Sequence, residues 1–118
     1  MRIYIAGPYT GSTERERLDN VRKAIDTALV LYEKGHQPYI PHLTHYIAER
    51  AEETGTHIDH HEWVNDWDGP WLTVCDALLL IGESPGAIQE LEMAKRQGKQ
   101  IFYGDAASIP DARAEVKS

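Results

Sequence analysis

Two groups of carboxylates have the surroundings that chemistry requires. Glu90 lies in the stretch Ser84-Pro-Gly-Ala-Ile-Gln-Glu90-Leu-Glu-Met-Ala94. At about 100° per residue it falls about 40° from Ala94, on the edge of the apolar face of the helix this stretch predicts, while Glu92 points further from the core. A carboxylate so placed is either a solvated helix charge or a nucleophile with restricted access to water. Asp66 and Asp68 precede Trp71 in a segment that also holds Trp63 and Trp67. That crowding fits a packing cluster with capping aspartates, or an acid beside rings able to stack on a planar base. Glu90 and an aspartate brought across a pocket would supply the pair of carboxyl groups used in retaining glycosyl transfer, which sit about 5 Å apart. Spacing along the chain leaves their separation open.

Other residue types narrow the chemistry. Ser84 is a candidate N-cap and Pro85 suits a first helical turn, so the helix would turn backbone N–H groups toward a phosphate or a carboxylate near Ser84 and Gly86. The histidines His42, His45, His57, His60 and His61 raise zinc binding. Their His-x-x-His pairs are spaced i, i+3, no cysteine joins them and no His-Glu-x-x-His is present, so solvated or ligand-contacting histidines are expected, with no metal and no cofactor. Gly7-Pro8-Tyr9-Thr10-Gly11 lacks the trailing lysine of a P-loop, and no Gly-x-Gly-x-x-Gly occurs, which argues against a nucleoside triphosphatase or a dinucleotide dehydrogenase.

The elements that must position these groups follow from periodicity. Ile3 to Ala6 reads as a short buried strand running into the Gly7-Pro8 loop. Arg15 to Lys34 has helical spacing, with Leu18, Val21, Ala24, Ile25, Ala28, Leu29 and Tyr32 as its apolar face, and Gly35 closes it. Gln37 to Ile40 predicts a second strand, placed at a sheet edge by Pro38. Helical patterns follow at 42–53 and 59–66, with an interruption at Gly69-Pro70. Asp76 to Ile81 contains Ala-Leu-Leu-Leu-Ile, a continuous apolar run of the kind a doubly covered parallel strand shows. The helix from Ala87 to Gln97 and a strand from Gln100 to Tyr103 complete the pattern, which predicts an α/β, Rossmann-like (flavodoxin-like) three-layer fold with four to five parallel strands. Residues 1–104 form the domain, and 105–118 read as a polar C-terminal tail. Ligands of such sheets bind beyond the carboxyl ends of the strands, which gathers Gly7 to Thr10, Pro41-His42 and Gly82 to Gly86 around one pocket.

Composition sets outer limits. A chain of 118 residues with 42% hydrophobic and 26% charged side chains suits one globular domain. Nineteen acidic against 12 basic residues leave a net charge of −7, which disfavours nucleic-acid polymers and anionic membranes as partners. The lone Cys75 sits in an apolar run, as a buried reduced thiol does. Met1 to Ala6 is too short for a signal h-region and no stretch reaches membrane-spanning length, so a cytoplasmic protein is expected.

Four motifs together resemble the nucleoside 2-deoxyribosyltransferase-like superfamily, which includes the deoxynucleoside 5′-monophosphate N-hydrolases. Tyr4-Ile-Ala-Gly7-Pro8 is similar to the family's Tyr-x-x-Gly start, and Gly35 through His42 forms the second motif. Asp68-Gly-Pro-Trp71-Leu-Thr-Val-Cys-Asp76 resembles Asp-x-x-Trp-Leu-x-x-x-Asp. Ser84 to Ile101 is similar to Ser-x-Gly-x-x-x-Glu-Leu-x-x-Ala-x-x-x-Gly-Lys-x-Ile.

The resemblance implies cleavage of the bond between a nucleobase and (deoxy)ribose. It makes Glu90 the nucleophile at C1′, Asp68 the residue that protonates or orients the leaving base, and Tyr4 the residue that lines the sugar and holds Glu90. Gly7, Pro8, Tyr9, His42, Trp71, Ser84 and Gly86 would bind substrate. Ser84, where transferases of the family carry aspartate, favours a 5′-monophosphate and hydrolysis; Thr10 replaces those hydrolases' arginine, leaving Arg15 or Arg17 nearby. The partner is then a nucleoside or nucleotide, and a homodimer or larger oligomer is expected because relatives complete their pockets with a neighbouring subunit. Base exchange by a deoxyribosyltransferase and nucleotide sensing without catalysis are the competing readings.

Overall fold

Alternation along the strands decides which residues meet which helices. In β1 (Arg2–Ala6) the pleat sends Ile3 and Ile5 to one face of the sheet and Tyr4 and Ala6 to the other, and all four are fully buried. In β3 (Ala77–Leu80), Ala77 and Leu79 join the first face and Leu78 and Leu80 the second. A strand covered on both sides reads as an unbroken apolar run, which is why Ala-Leu-Leu-Leu carries no polar alternation. The computed structural model describes residues 1–112, with β2 (Gln37–Tyr39) and β4 (Gln100–Tyr103) completing a four-stranded sheet of order β2-β1-β3-β4. All pairings are parallel, with Ile3 opposite Pro38 on one side and Ala77 on the other. Pro38 is tolerated because β2 is an edge strand. This is the expected Rossmann-like α/β fold, in the order of the first four flavodoxin-like strands.

Helix α1 (Glu14–Glu33) covers the Ile3/Ile5 face with Ala24, Ala28 and Leu31, and Val21 is buried on the same helix. The buried stripe is narrower than the apolar pattern: Leu18, Leu29 and Tyr32 are exposed, and Leu31, seven residues beyond Ala24, fills the core position instead. On the opposite face, α5 (Pro85–Arg96) buries Ala87, Glu90, Leu91 and Ala94 against Tyr4, Ala6, Leu78 and Leu80.

After β2, a 3₁₀ turn (Pro41–Thr44) leads into α2 (His45–Glu53). The segment from His60 to Thr73 differs from expectation, because Gly69-Pro70 does not interrupt it. Helix α3 (His60–Trp63), a π-helical turn (Val64–Asp68) and α4 (Gly69–Thr73) run on continuously. Pro70 is the second residue of α4, and the proline is accommodated next to the wide turn closed from the Gly69 amide to the Val64 carbonyl. A Cβ on Gly69 would lie 2.8 Å from Met93 Cε and 3.3 Å from the Val64 oxygen, so glycine lets α4 approach α5.

The start of the expected polar tail belongs to the core. A 3₁₀ turn (Ala106–Ser108) brings Ala106 and Ile109 against α1, and Lys34 Nζ donates to both their carbonyls at 2.7 and 2.8 Å. Residues 113–118 of that tail lie outside the described residues. Among the described residues, no helix is long and apolar enough to cross a membrane.

Candidate active site

The loops that leave the carboxyl ends of β1, β2 and β3 enclose a cavity of about 540 Å³. Gly7 and Tyr9 come from the first loop, Pro41 and His42 from the second, and Ser84 to Gly86 from the third, with Glu90 one turn further along α5. The remaining wall comes from His60, His61, Trp63, Val64 and Asp68, in the helical run after α2.

Two buried carboxyl groups face this space. Glu90 is 6% exposed and accepts a hydrogen bond on Oε2 from the Tyr4 hydroxyl. Burial pushes its pKa up to about 8; the Tyr4 bond opposes the rise and the nearby charge of Asp68 adds to it. Asp68 is 3% exposed, and burial lifts it to about 7 against the hydrogen bonds it accepts on Oδ1 from Thr44 Oγ1 and the Tyr39 hydroxyl, each 3.3 Å. A buried pair of this kind is stable near neutral pH when it holds a proton, with one member able to attack and the other able to donate.

His42 is 2% exposed and its Nε2–H donates to the Pro8 carbonyl at 3.1 Å, which makes Nδ1 the unprotonated nitrogen of a neutral ring. Among the described residues Nδ1 has no hydrogen-bond partner, and burial lowers the ring's pKa to about 4. His45 stacks on Tyr9, 3.6 Å between centroids and 5° between planes, and is likewise pushed to about 4, mainly by burial. At the head of α5, Ser84 Oγ accepts from the Ala87 amide at 3.1 Å and the Ser84 carbonyl takes the Ile88 amide. The Gly86 amide and the Ser84 hydroxyl proton are the donors this turn presents to an anion. Among the described residues, no three His, Cys, Asp or Glu side chains are grouped to hold a metal ion.

A family pattern described as a domain of unknown function (DUF7768) matches residues 1–104. The chain belongs to that family. Comparison with curated proteins finds no match. The family description carries no chemistry, so for this DUF7768 chain the geometry bears the functional argument.

Of the residues singled out in the sequence, Gly7, Tyr9, His42, Asp68, Ser84, Gly86 and Glu90 meet on the cavity wall. Tyr4 is fully buried behind Glu90, holding it without lining the space. Pro8 also stands back: its carbonyl takes the His42 proton and its ring packs on Gly82, where a Cβ would lie 2.9 Å from Pro8 Cδ. Trp71 is 52% exposed and outside the cavity, because the Tyr39 ring occupies the place beside Asp68 and takes Trp71 as a stacking partner at 5.9 Å. Arg15 is exposed, and Arg17 borders a neighbouring cavity of about 450 Å³, paired with Glu14 at 3.3 Å and Glu49 at 3.6 Å. Thr44, Tyr39 and Gln89 carried no sequence signal. The histidine spacing and the tryptophan cluster did point to His45, His60, His61 and Trp63, without saying which would face inward.

Proposed function

We propose that this chain hydrolyses the N-glycosidic bond of (deoxy)nucleosides, and preferentially of their 5′-monophosphates, releasing the free base. The observation that carries the reading is that two buried carboxyl groups, Glu90 and Asp68, line one cavity, with Tyr4 donating to Glu90 from behind. In the first step a Glu90 oxygen bonds to C1′ as the C1′–N bond breaks. Its electron pair leaves with the base, which takes a proton from the Asp68 carboxyl. In the second step water attacks C1′, the ester to Glu90 breaks, and the proton released by water returns to Asp68. The reactive form has Glu90 ionised and the pair's proton on Asp68; with Glu90 raised to about 8 and Asp68 to about 7 this is the minor form at neutral pH, and the Tyr4 hydrogen bond increases its share.

The rest of the cavity fits the parts of a nucleotide. Ser84 and Gly86 at the head of α5 suit a 5′-phosphate. Trp63 and Val64 form an apolar wall next to Asp68, where the leaving base belongs. A cytoplasmic enzyme that works as a homodimer or larger oligomer completes the reading. Leu43, Tyr46 and Ile47, spaced along one helical side at 42%, 48% and 47% exposure, support a second copy of the chain as cover.

The deciding experiment incubates the protein with deoxynucleosides, ribonucleosides and their 5′-monophosphates, with and without a second free base, and follows products by chromatography. Free base from a monophosphate, together with a Glu90 peptide carrying the sugar phosphate by mass, is the expected result. A new nucleoside formed from the added base points to transfer instead. No turnover, combined with a nucleotide-induced rise in Tm, points to a sensor.

A further inference from the structure

Asp68 is joined to the cavity wall by a side chain that the catalytic reading does not use. Thr44 is buried, and its Oγ1 accepts a hydrogen bond from Trp63 Nε1 at 3.1 Å. The same oxygen lies 2.7 Å from the Pro41 carbonyl and 3.3 Å from Asp68 Oδ1. A threonine hydroxyl has one proton, so it serves one of these two acceptors at a time.

The π-helical turn creates this junction. Five residues along an α-helix lead to nearly the opposite side at about 100° per residue. A turn closed by an i→i+5 bond needs more residues to come round, and it returns Asp68 to the side of Trp63, so that both reach Thr44.

Resting on the N-glycosidase reading, we infer that Thr44 is a positioning residue for Asp68: a hydroxyl rotor, held by the Trp63 indole, that switches from Pro41 to Asp68 as the acid gives up its proton. While Asp68 is protonated, the Thr44 proton stays on the Pro41 carbonyl. When the Asp68 O–H bond breaks, its electron pair remains on the carboxylate and the proton bonds to the base nitrogen. Thr44 then rotates its own O–H toward Oδ1. No covalent bond of Thr44 changes. The interaction is made only as charge develops, the condition under which a hydrogen bond lowers a barrier rather than merely tightening binding. The other groups facing Asp68 are Tyr4 from β1, Tyr39 from β2 and Glu90 from α5. Among the described residues, of these only Tyr39 also donates to Oδ1, and its proton has no second acceptor of the kind Pro41 offers Thr44.

The test combines carboxyl ¹³C titration of Asp68 by NMR with turnover of two substrates. One is a deoxynucleoside 5′-monophosphate; the other is 4-nitrophenyl 2-deoxyriboside 5-phosphate, whose leaving group departs without a proton. Thr44→Val is expected to move the Asp68 titration up by about one pH unit. It should also slow the nucleotide about tenfold or more while leaving the nitrophenyl substrate within about twofold. Thr44→Ser restores both, and Trp63→Phe, which keeps a ring but loses the indole N–H, shifts both the same way by less. If Thr44→Val does not fold, the Thr44→Ser and Trp63→Phe pair decides, since the relay requires only the second to move the titration. An unmoved titration in folded Thr44→Val, or equal losses on both leaving groups, overturns the inference. Absence of turnover by the wild-type chain on either substrate counts against the N-glycosidase reading, and the titration then decides the Thr44 coupling alone.

Discussion

The Tyr4 hydroxyl donates to Oε2 of Glu90 across 86 positions of sequence, and both side chains are closed to solvent. Tyr4 is in the central strand β1 and Glu90 in α5, which packs on the face to which the pleat directs Tyr4. Burial and the charge of Glu90 hold the phenol's pKa well above its usual value, so Tyr4 stays a donor at every physiological pH. The bond therefore favours the ionised form of a carboxyl group that burial alone would keep protonated.

Glu90→Ala is expected to lower turnover by about three orders of magnitude or more with the fold retained. Glu92→Ala, at an exposed position on the same helix, should change turnover by less than about twofold. Steady-state kinetics and circular dichroism on both variants check this, and equal losses at the two positions would remove Glu90 as nucleophile.

Tyr4→Phe leaves Glu90 buried without its donor, which raises the carboxyl's pKa further. The acid limb of the kcat profile should move to higher pH, with turnover at pH 7 falling about tenfold or more and a stability loss of about 1 kcal/mol. A lower rate with an unmoved acid limb would show that Tyr4 acts on something other than Glu90 ionisation.

Stability should depend on pH through the same carboxylate. The folded pKa of Glu90 is raised from 4.5 to about 8, so the native state binds its proton more tightly than the unfolded chain does. Its contribution is complete below about pH 4.5 and is lost as pH rises toward about 8. Glu90→Gln removes that loss. Melting curves should show the variant gaining on wild type as pH rises from 5 to 8.5, by about 4 °C or more at the upper end. A Tm difference that does not change with pH would contradict the burial argument.

Glycines at two points of the cavity separate fold from function. A Cβ on Gly7 would lie 2.6 Å from Ile81 Cγ1, so Gly7→Ala forces a core side chain aside and should cost about 1–3 kcal/mol in denaturant unfolding. A Cβ on Gly86 meets nothing within 4 Å. Gly86→Ala should leave the Tm unchanged or slightly higher while raising KM for a 5′-monophosphate more than for the nucleoside, because the new methyl enters the space assigned to phosphate. Equal KM changes for the two substrates would move the phosphate elsewhere.

What could be read from the chain alone was what short-range rules encode. The succession of strands and helices along the chain, the N-cap at Ser84, the edge position of Pro38 and the placement of Glu90 near the apolar face each depend on residues within a turn or a strand of one another. The same local rules misjudged Gly69-Pro70, and they could not place Trp71. A π turn follows no simple residue preference, and the place beside Asp68 was taken by Tyr39, 29 residues away. Only tertiary structure could decide what the carboxyl groups are like. Glu90 is raised by burial under β1 and tempered by Tyr4, and Asp68 is raised by burial and tempered by Thr44, 24 residues distant, and Tyr39. Ionisation follows from the solvent and dipoles around a group, and those are assembled by contacts that no periodicity in the sequence records.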